Sequence, residues 1–160
     1  MNIFLTFDYE LFFGENPGTV QKCMIEPTKE LLAIAEKHDV KMIFFVDVGY
    51  LVRGKEFSNE NPLLAEDLNM VKNQLKELVK AGHDVQLHVH PHWEKSFFAN
   101  GQWKIQTDGA YKLDDFSDEE VRDILVRYKD YLDNLIGYKT TSFRAGGWCI
   151  QPFNRWKDLF

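Results

Sequence analysis

Apolar and polar positions along the chain alternate between two spacings, one typical of β-strands and one typical of α-helices. Short apolar runs at 3–8, 41–46, 85–88 and 141–144 predict four strands. The segments between them repeat apolar residues at helical spacing, which predicts helices that open near residues 26, 61 and 117. The second and third of these helices are expected to stop at Gly82 and Gly137, because glycine is favoured just past a helix end.

This alternation of strand and helix predicts an α/β fold, since strands linked through helices lie parallel in one sheet. Four units are fewer than the seven or eight that close a β/α barrel. An amphipathic pattern over 153–160 predicts the opening of a fourth helix and continues to the last residue. Two interpretations follow, a small open sheet or the first half of a larger fold, and we favour the second. Residues 1–160 are therefore expected to form a single domain that is incomplete at its C-terminal end.

The segment between His92 and Ser117 interrupts this alternation. Residues 102–106 and 110–113 flank an Asp108-Gly109 pair, which predicts a β-hairpin with its turn at that pair. Because the segment leaves the strand end that carries the histidines, it is either a surface hairpin without a role or a flap over a substrate. We favour the flap.

Composition narrows the choice of function classes. The chain has 160 residues, of which 44% are hydrophobic and 28% charged, as in a soluble globular domain. Its net charge of -6 argues against nucleic acid as a partner. No segment approaches the about 20 apolar residues of a membrane span, and the N-terminus has no signal-peptide pattern, so we predict a cytoplasmic protein. Cys23 and Cys149 are far apart and are expected to be free thiols.

Polar residues with metal-binding chemistry follow the predicted strands. Three of the five histidines lie within 88–92, directly after the third apolar run, and Asp8 and Glu10 lie at the end of the first. The fourth run ends at Arg144. The carboxyl ends of parallel strands share one edge of a sheet, so these side chains are expected to converge. Imidazole nitrogens and carboxylate oxygens are the ligands of hydrolytic metal sites, and their clustering favours such a site over isolated core histidines.

Three ordered segments carry a resemblance to a known family: Thr6-Phe7-Asp8-Tyr9-Glu10, His88-x-x-x-His92 and Phe143-Arg144-Ala145-Gly146-Gly147. They resemble the first three motifs of the polysaccharide deacetylase (NodB-homology) family, and they span nearly the whole chain. The resemblance implies a distorted β/α barrel, of which this chain covers roughly the first four units. It also implies a divalent metal, usually Zn²⁺ with Co²⁺, Ni²⁺, Mn²⁺ or Fe²⁺ as alternatives. The implied reaction is removal of N-acetyl groups from an amino sugar or polysaccharide, so the expected partner is a carbohydrate or another small acylated substrate.

Position by position, the resemblance assigns roles to individual residues. Asp8 falls where the family keeps its catalytic base. The family's metal-binding Asp would follow it, but Tyr9 stands there, and an Asp-x-Glu variant nominates Glu10 as the ligand. His88 and His92 match the paired histidine ligands. Because residues two apart on a strand share a face, the alternative pair His88 and His90 stays open.

The remaining roles concern substrate and base positioning. Arg144 matches the arginine that orients the catalytic Asp, although the family usually has Pro where Gly146 stands here. Trp93, Trp148 and His90 are predicted to contact substrate.

Two features keep a second interpretation open. Tyr9 replaces the family's usual ligand, and the histidine that acts as general acid in the family would lie beyond residue 160. A non-catalytic domain that binds metal or sugar is therefore the alternative, together with a hydrolase of another non-peptide amide. A metal-dependent phosphoesterase is less favoured, because few basic residues lie near the motifs.

Overall fold

The computed structural model describes residues 1–14 and 16–157, with the side chain of Trp148 left out. Within these residues there are six strands: β1 (Thr6–Tyr9), β2 (Ile43–Asp47), β3 (Asp84–Val89), β4 (Phe97–Ala99), β5 (Gln102–Lys104) and β6 (Phe143–Ala145). β1, β2, β3 and β6 form a parallel sheet in that order, and β4 and β5 form a separate antiparallel hairpin.

The connections between the parallel strands are helical. The described α-helices are α1 (Glu26–His38), α2 (Val48–Phe57), α3 (Pro62–Lys80) and α4 (Asp118–Ile136). A π-helical turn precedes α1, and short 3-10 turns lie at 58–60, 91–94, 113–115, 146–148 and 153–155. The sequence signals at the ends of α4 are confirmed: Ser117 and Glu120 form a capping box, and Gly137 ends the helix at a φ of 84°.

The order of the strands identifies the architecture. In the parallel sheet each strand lies beside the next one along the chain, and no reversal of order occurs among the described strands. This single winding is the topology of a β/α barrel, whereas a doubly wound sheet reverses its order at a switch point. The mixed α/β fold with a curled, half-barrel sheet is therefore confirmed.

The two faces of the parallel sheet differ in chemistry because the register aligns residues of the same kind. The outer face packs on the helices and is apolar; it comprises Phe7, Tyr9, Phe44, Val46, Val85, Leu87 and Val89. The Tyr9 hydroxyl, which lies on this face, donates to Gln74 of α3 at 2.8 Å. The concave face carries an aligned row formed by Asp47, His88 and Arg144. The sheet therefore presents its polar residues away from the helices.

The hairpin prediction is wrong in its position. The two strands are β4 and β5, and the turn between them is Asn100-Gly101, both with positive φ, at 53° and 74°. Asn-Gly with two positive φ angles is the preferred turn of a two-residue hairpin, so it is the stronger of the two turn signals. Asp108-Gly109 lies in a turn beyond the hairpin.

Two helix predictions also differ from the structure. Helix α2 was not predicted, because five of its ten residues are buried and two of these are glycines, which removes the amphipathic pattern. The predicted helix at 153–160 is a 3-10 turn, Phe153–Arg155, in the described part. Residues 158–160 of that prediction lie outside the described residues.

The close packing of α2 against the turn after β3 generates a first prediction. A Cβ at Gly49 would lie 2.4 Å from Cδ1 and 2.8 Å from Cβ of the buried Trp93. We expect Gly49→Ala to lower the free energy of unfolding by about 1–3 kcal/mol, measured by urea denaturation, because overpacking strains the backbone. Gly54→Ala, on the same helix, is the matched control. Its Cβ meets the flexible end of Leu68 at 2.8 Å, so we expect a smaller loss or a gain from helix propensity. Equal effects of the two substitutions would contradict the proposed packing constraint.

Candidate active site

A carboxylate and two imidazoles converge at the carboxyl ends of β1 and β3. Potential ligand atoms of Glu10, His88 and His90 all lie within 4.8 Å of one another. One oxygen of Glu10, Oε2, is 3.2 Å from His88 Nε2 and 2.8 Å from His90 Nε2. Both histidines are buried, at 2% and 3% exposure. Such a group of one oxygen and two nitrogens is the donor set of a divalent transition-metal site.

The ring of His88 is oriented by the neighbouring strand. Its Nδ1 lies 2.8 Å from the backbone carbonyl oxygen of Arg144, in position to donate. That bond leaves Nε2 to face Glu10. A ligand histidine in a metal site is held in the same way, with its second nitrogen bonded to a carbonyl or carboxylate.

The ring of His90 has a different environment. Within the described part of the chain, neither of its nitrogens makes a well-aligned hydrogen bond, although Nε2 approaches Glu10. Its Nδ1 lies against Gly146, where an added Cβ would be only 2.5 Å away. The absence of a side chain at Gly146 therefore permits the loop after β6 to pass over His90. This close approach explains physically why a glycine follows the Arg-Ala pair at this position.

The electrostatics of the cluster favour a charged carboxylate. Burial alone would raise the pKa of Glu10, but the close contacts and positive charge of His88 and His90 outweigh it and lower the pKa to about 2. Burial lowers the pKa of His88, yet the contact with Glu10 and the charge of Asp47 reverse this effect and raise it. The residues thus stabilise positive charge beside Glu10, whether it comes from a proton or from a metal ion.

These residues fit a divalent metal. Two buried imidazole nitrogens point at one carboxylate oxygen, and neither His90 nitrogen has an aligned hydrogen-bond partner among residues 1–14 and 16–157. Glu10, His88 and His90 would hold the ion, which is the alternative histidine pair that the sequence left open. His92 does not belong to the converging group. Burial first, and then the neighbouring His90, lower its pKa to about 3, which favours the neutral imidazole.

The Asp8 carboxylate pairs with Arg144 across the concave face of the sheet. Arg144 Nη1 contacts Asp8 Oδ1, and Nη2 donates to the Thr6 hydroxyl at 2.8 Å. The same guanidinium lies over the ring of Phe45, 4.1 Å from its centroid. Asp8 keeps 37% of its side chain exposed, so it is accessible to water and substrate.

The structure places the predicted aromatic substrate contacts differently. Trp93 is 1% exposed, and its ring packs against Tyr50 and Trp103 in the core. Its indole nitrogen donates to Asp47. Trp93 therefore holds the histidine turn on the core and presents no face to a sugar ring. Trp148 ends the turn after β6, and its side chain lies outside the described residues.

Asp47 is a residue of this region that the sequence analysis did not single out. It ends β2, lies beside His88 in the register and is buried, and its Oδ1 has no hydrogen-bond partner among the described residues. Burial raises its pKa, against the opposing charges of His90 and His88. The sequence could have identified Asp47 by its position. It ends an otherwise apolar strand, so it lies at the same edge of the sheet as Asp8 and His88.

Phe13 packs on the histidines, and Tyr111 packs on Phe13. The Phe13 ring lies 4.8 Å from both His90 and His92, and 5.9 Å from Tyr111. Each of the two aromatic residues is 42% exposed. Tyr111 comes from the segment between β5 and α4, so that segment does reach the candidate site. The signal in the sequence was weak, because Phe13 lies in a Gly/Pro/Asn-rich loop.

A parallel half-barrel with carboxylates, imidazoles and an arginine at the carboxyl ends of its strands defines a protein of the β/α-barrel class. A sequence model of the family described as polysaccharide deacetylase matches residues 2–150, so the chain belongs to the polysaccharide deacetylase family. Searches among curated proteins and among solved structures find no match to the chain. No helix in the described part is long and apolar enough to cross a membrane.

The geometry of the cluster generates a second prediction, which separates the two histidine pairs. We expect His88→Ala and His90→Ala each to weaken Zn²⁺ binding by at least about tenfold in isothermal titration, because each removes a nitrogen donor. His92→Ala should change the affinity little. Gly146→Ala should also weaken binding, since its Cβ would displace the His90 ring. If His92→Ala loses the metal and His90→Ala keeps it, the pair His88 and His92 is the correct one.

Proposed function

We propose that this chain carries the catalytic site of a metal-dependent hydrolase that removes N-acetyl groups from amino sugars. The single observation that carries the proposal is the convergence of Glu10, His88 and His90 beside the Asp8–Arg144 pair. Membership of the polysaccharide deacetylase family supports the reaction class. The sugar-bearing substrate and the metal are part of the proposal.

The chemistry divides among the residues of the cluster. A divalent ion held by Glu10, His88 and His90 would polarise the acyl carbonyl and acidify a water molecule. Asp8 would accept the proton of the attacking water as the water oxygen bonds to the acyl carbon. The C–N bond would then break, and the proton held by Asp8 would pass to the nitrogen of the departing amine. The guanidinium of Arg144 donates to both Asp8 and Thr6, and these two bonds keep Asp8 in one orientation.

The concave face also limits the access of bulk water and leaves the proposed base accessible to a substrate. Phe13 and Tyr111 wall the site and reduce access of bulk water to His90 and His92. Asp8 remains partly exposed on the same face, so an extended sugar chain can reach it. The proposal thus uses groups from the ends of β1, β3 and β6 and from two loops.

A binding domain without turnover is the second candidate, and the position of Tyr9 is the observation that favours it. Tyr9 points to the outer face, is 2% exposed and bonds to Gln74, so it cannot serve as a ligand. Glu10, by contrast, faces the histidines and can supply the metal-binding carboxylate that Tyr9 does not. We therefore retain hydrolysis as the first candidate.

The third prediction concerns the reaction. We expect acetate release from N-acetylglucosamine oligomers when the protein is supplied with Zn²⁺, Co²⁺ or Mn²⁺, and none after chelation, as measured by an enzymatic acetate assay. N-formylated sugars and cyclic imides, tested in parallel, identify a hydrolase of another amide. Metal and oligosaccharide binding without release of any acid across the panel would select the binding domain.

The fourth prediction separates the proposed base from the proposed ligand. Asp8→Asn should keep metal affinity and lower kcat by about 10²–10⁴-fold, because it removes a base without touching the donor set. Glu10→Gln should weaken metal binding instead. Glu36→Gln, an exposed carboxylate on α1, is the control and should leave both quantities unchanged. The reverse pattern for Asp8 and Glu10 would show that their roles are exchanged.

A further inference from the structure

The 3-10 turn Pro91–Glu94 begins directly after His90, and its backbone is bonded to that residue. The His90 carbonyl oxygen accepts from the backbone N–H of Trp93 at 3.4 Å. One residue pair further along, the His92 carbonyl oxygen accepts from the backbone N–H of Ser96 at 3.0 Å. The position of His90 therefore depends on where the rest of this turn is held.

Glu94 ends the turn, and its carboxylate is bound by two consecutive residues of α4. The Tyr128 hydroxyl donates to Glu94 Oε1 at 2.5 Å, and Arg127 Nη2 donates to Glu94 Oε2 at 2.9 Å. Each carboxylate oxygen thus has its own donor, and both donors come from one helix. Hydrogen bonds to a charged acceptor are about twice as strong as those between neutral groups. Glu94 therefore ties the histidine turn to α4.

This contact reaches into the core. Tyr128 is 0% exposed and belongs to the apolar core, whereas Glu94 keeps 25% of its side chain exposed. Burial, followed by the charge and the hydrogen bond of Glu94, raises the pKa of Tyr128, so this residue is a neutral hydroxyl that donates. A buried hydroxyl that loses its acceptor is costly. The core therefore holds Glu94 in place, and Glu94 in turn satisfies the core.

The opposite side of the turn is held by β2. Trp93, one residue before Glu94, donates from its indole nitrogen to Asp47, which ends β2. The charge of Asp47 also contributes to the raised pKa of Tyr128, so the two anchors of the turn lie near each other. The turn is thus fixed between a strand and a helix, and His90 lies at its start.

We propose that Glu94 is a positioning residue of the candidate metal site, which acts through α4 to hold His90 beside Glu10. Glu94 itself does not belong to the converging group of ligand atoms. The inference rests on the proposed function, because it requires that this group binds a divalent ion. It adds that the metal affinity and the ligand geometry depend on the contact between the histidine turn and a helix of the outer layer.

Zn²⁺ titration of the full chain tests this role. We expect Glu94→Ala to weaken Zn²⁺ binding by about three- to tenfold, because a direct partner of a ligand is worth about 10–100-fold and Glu94 acts one step further away. Glu94→Gln keeps an acceptor oxygen and should recover part of the loss. Asp123→Asn is the matched control. It removes the other carboxylate bound to Arg127, is exposed and does not belong to the turn, so the affinity should not change.

A double-mutant cycle then locates the effect in one contact. Tyr128→Phe should also weaken Zn²⁺ binding, and the combined Glu94→Ala and Tyr128→Phe variant should lose less than the product of the two single losses, because both substitutions remove the same bond.

The visible spectrum of the Co²⁺-loaded protein distinguishes positioning from a general loss of stability, because it reports the geometry of the ligands. We expect Glu94→Ala to change the Co²⁺ bands under conditions in which urea denaturation shows the variant to be folded. Asp133→Asn serves as the stability control. It disturbs another buried carboxylate of α4, which binds Lys129 and Thr140, and it should lower the free energy of unfolding but leave the Co²⁺ bands unchanged.

Several results would overturn the role of Glu94. Unchanged Zn²⁺ affinity and Co²⁺ bands in folded Glu94→Ala would do so, and so would equal losses of affinity in Glu94→Ala and Asp133→Asn. If Glu94→Ala does not fold, Glu94→Gln and Tyr128→Phe decide the question by the same two readouts. If the unsubstituted protein binds neither Zn²⁺ nor Co²⁺, the metal site and the role of Glu94 are both wrong. If it binds metal but releases no acetate, only the proposed reaction is wrong.

Discussion

The ion pair between Arg144 and Asp8 is the interaction on which the concave face depends. Arg144 lies on β6 and Asp8 on β1, at opposite ends of the described sheet order. Three strand spacings separate these strands, about 14 Å if the sheet were flat. The contact between them indicates a curled sheet, and the Phe45 ring supports the guanidinium midway. The pair therefore connects the curvature of the half-barrel to the orientation of the proposed base.

Register and close backbone approach complete the geometry. Because side chains alternate between faces, a slip of one residue in β3 would send His88 to the helices and Leu87 to the concave face. Two glycines permit close packing around this geometry. The absence of a side chain at Gly49 leaves room for the Trp93 ring, and its absence at Gly146 leaves room for the His90 ring. The turn that follows β3 is thus held from both sides. This packing, together with the identity of the histidines, places His90 beside Glu10.

Sequence reasoning reached the fold class and the residues at the strand ends, because both follow from periodicity and from the shared edge of parallel strands. It favoured His92 over His90 as the second histidine ligand and left His90 open, and the turn at Pro91 with the contact of His90 and Gly146 is why we now propose His90. It predicted that Trp93 contacts substrate, because the sequence pattern of an aromatic residue beside histidines is the same whether the ring is buried or exposed. The bond from its indole to Asp47, residues 46 positions apart, settles its place.

The balance of charge on the concave face links the cluster to its proposed chemistry. Asp8, Glu10 and Asp47 supply three carboxylates, while Arg144 is their one permanent cation among the contacts described above. Arg144 is already engaged by Asp8. The charge of Glu10 therefore faces His88 and His90, and together with the charge of Asp47 it raises the pKa of His88 against the effect of burial. A divalent ion in the proposed site would be stabilised by the same carboxylate.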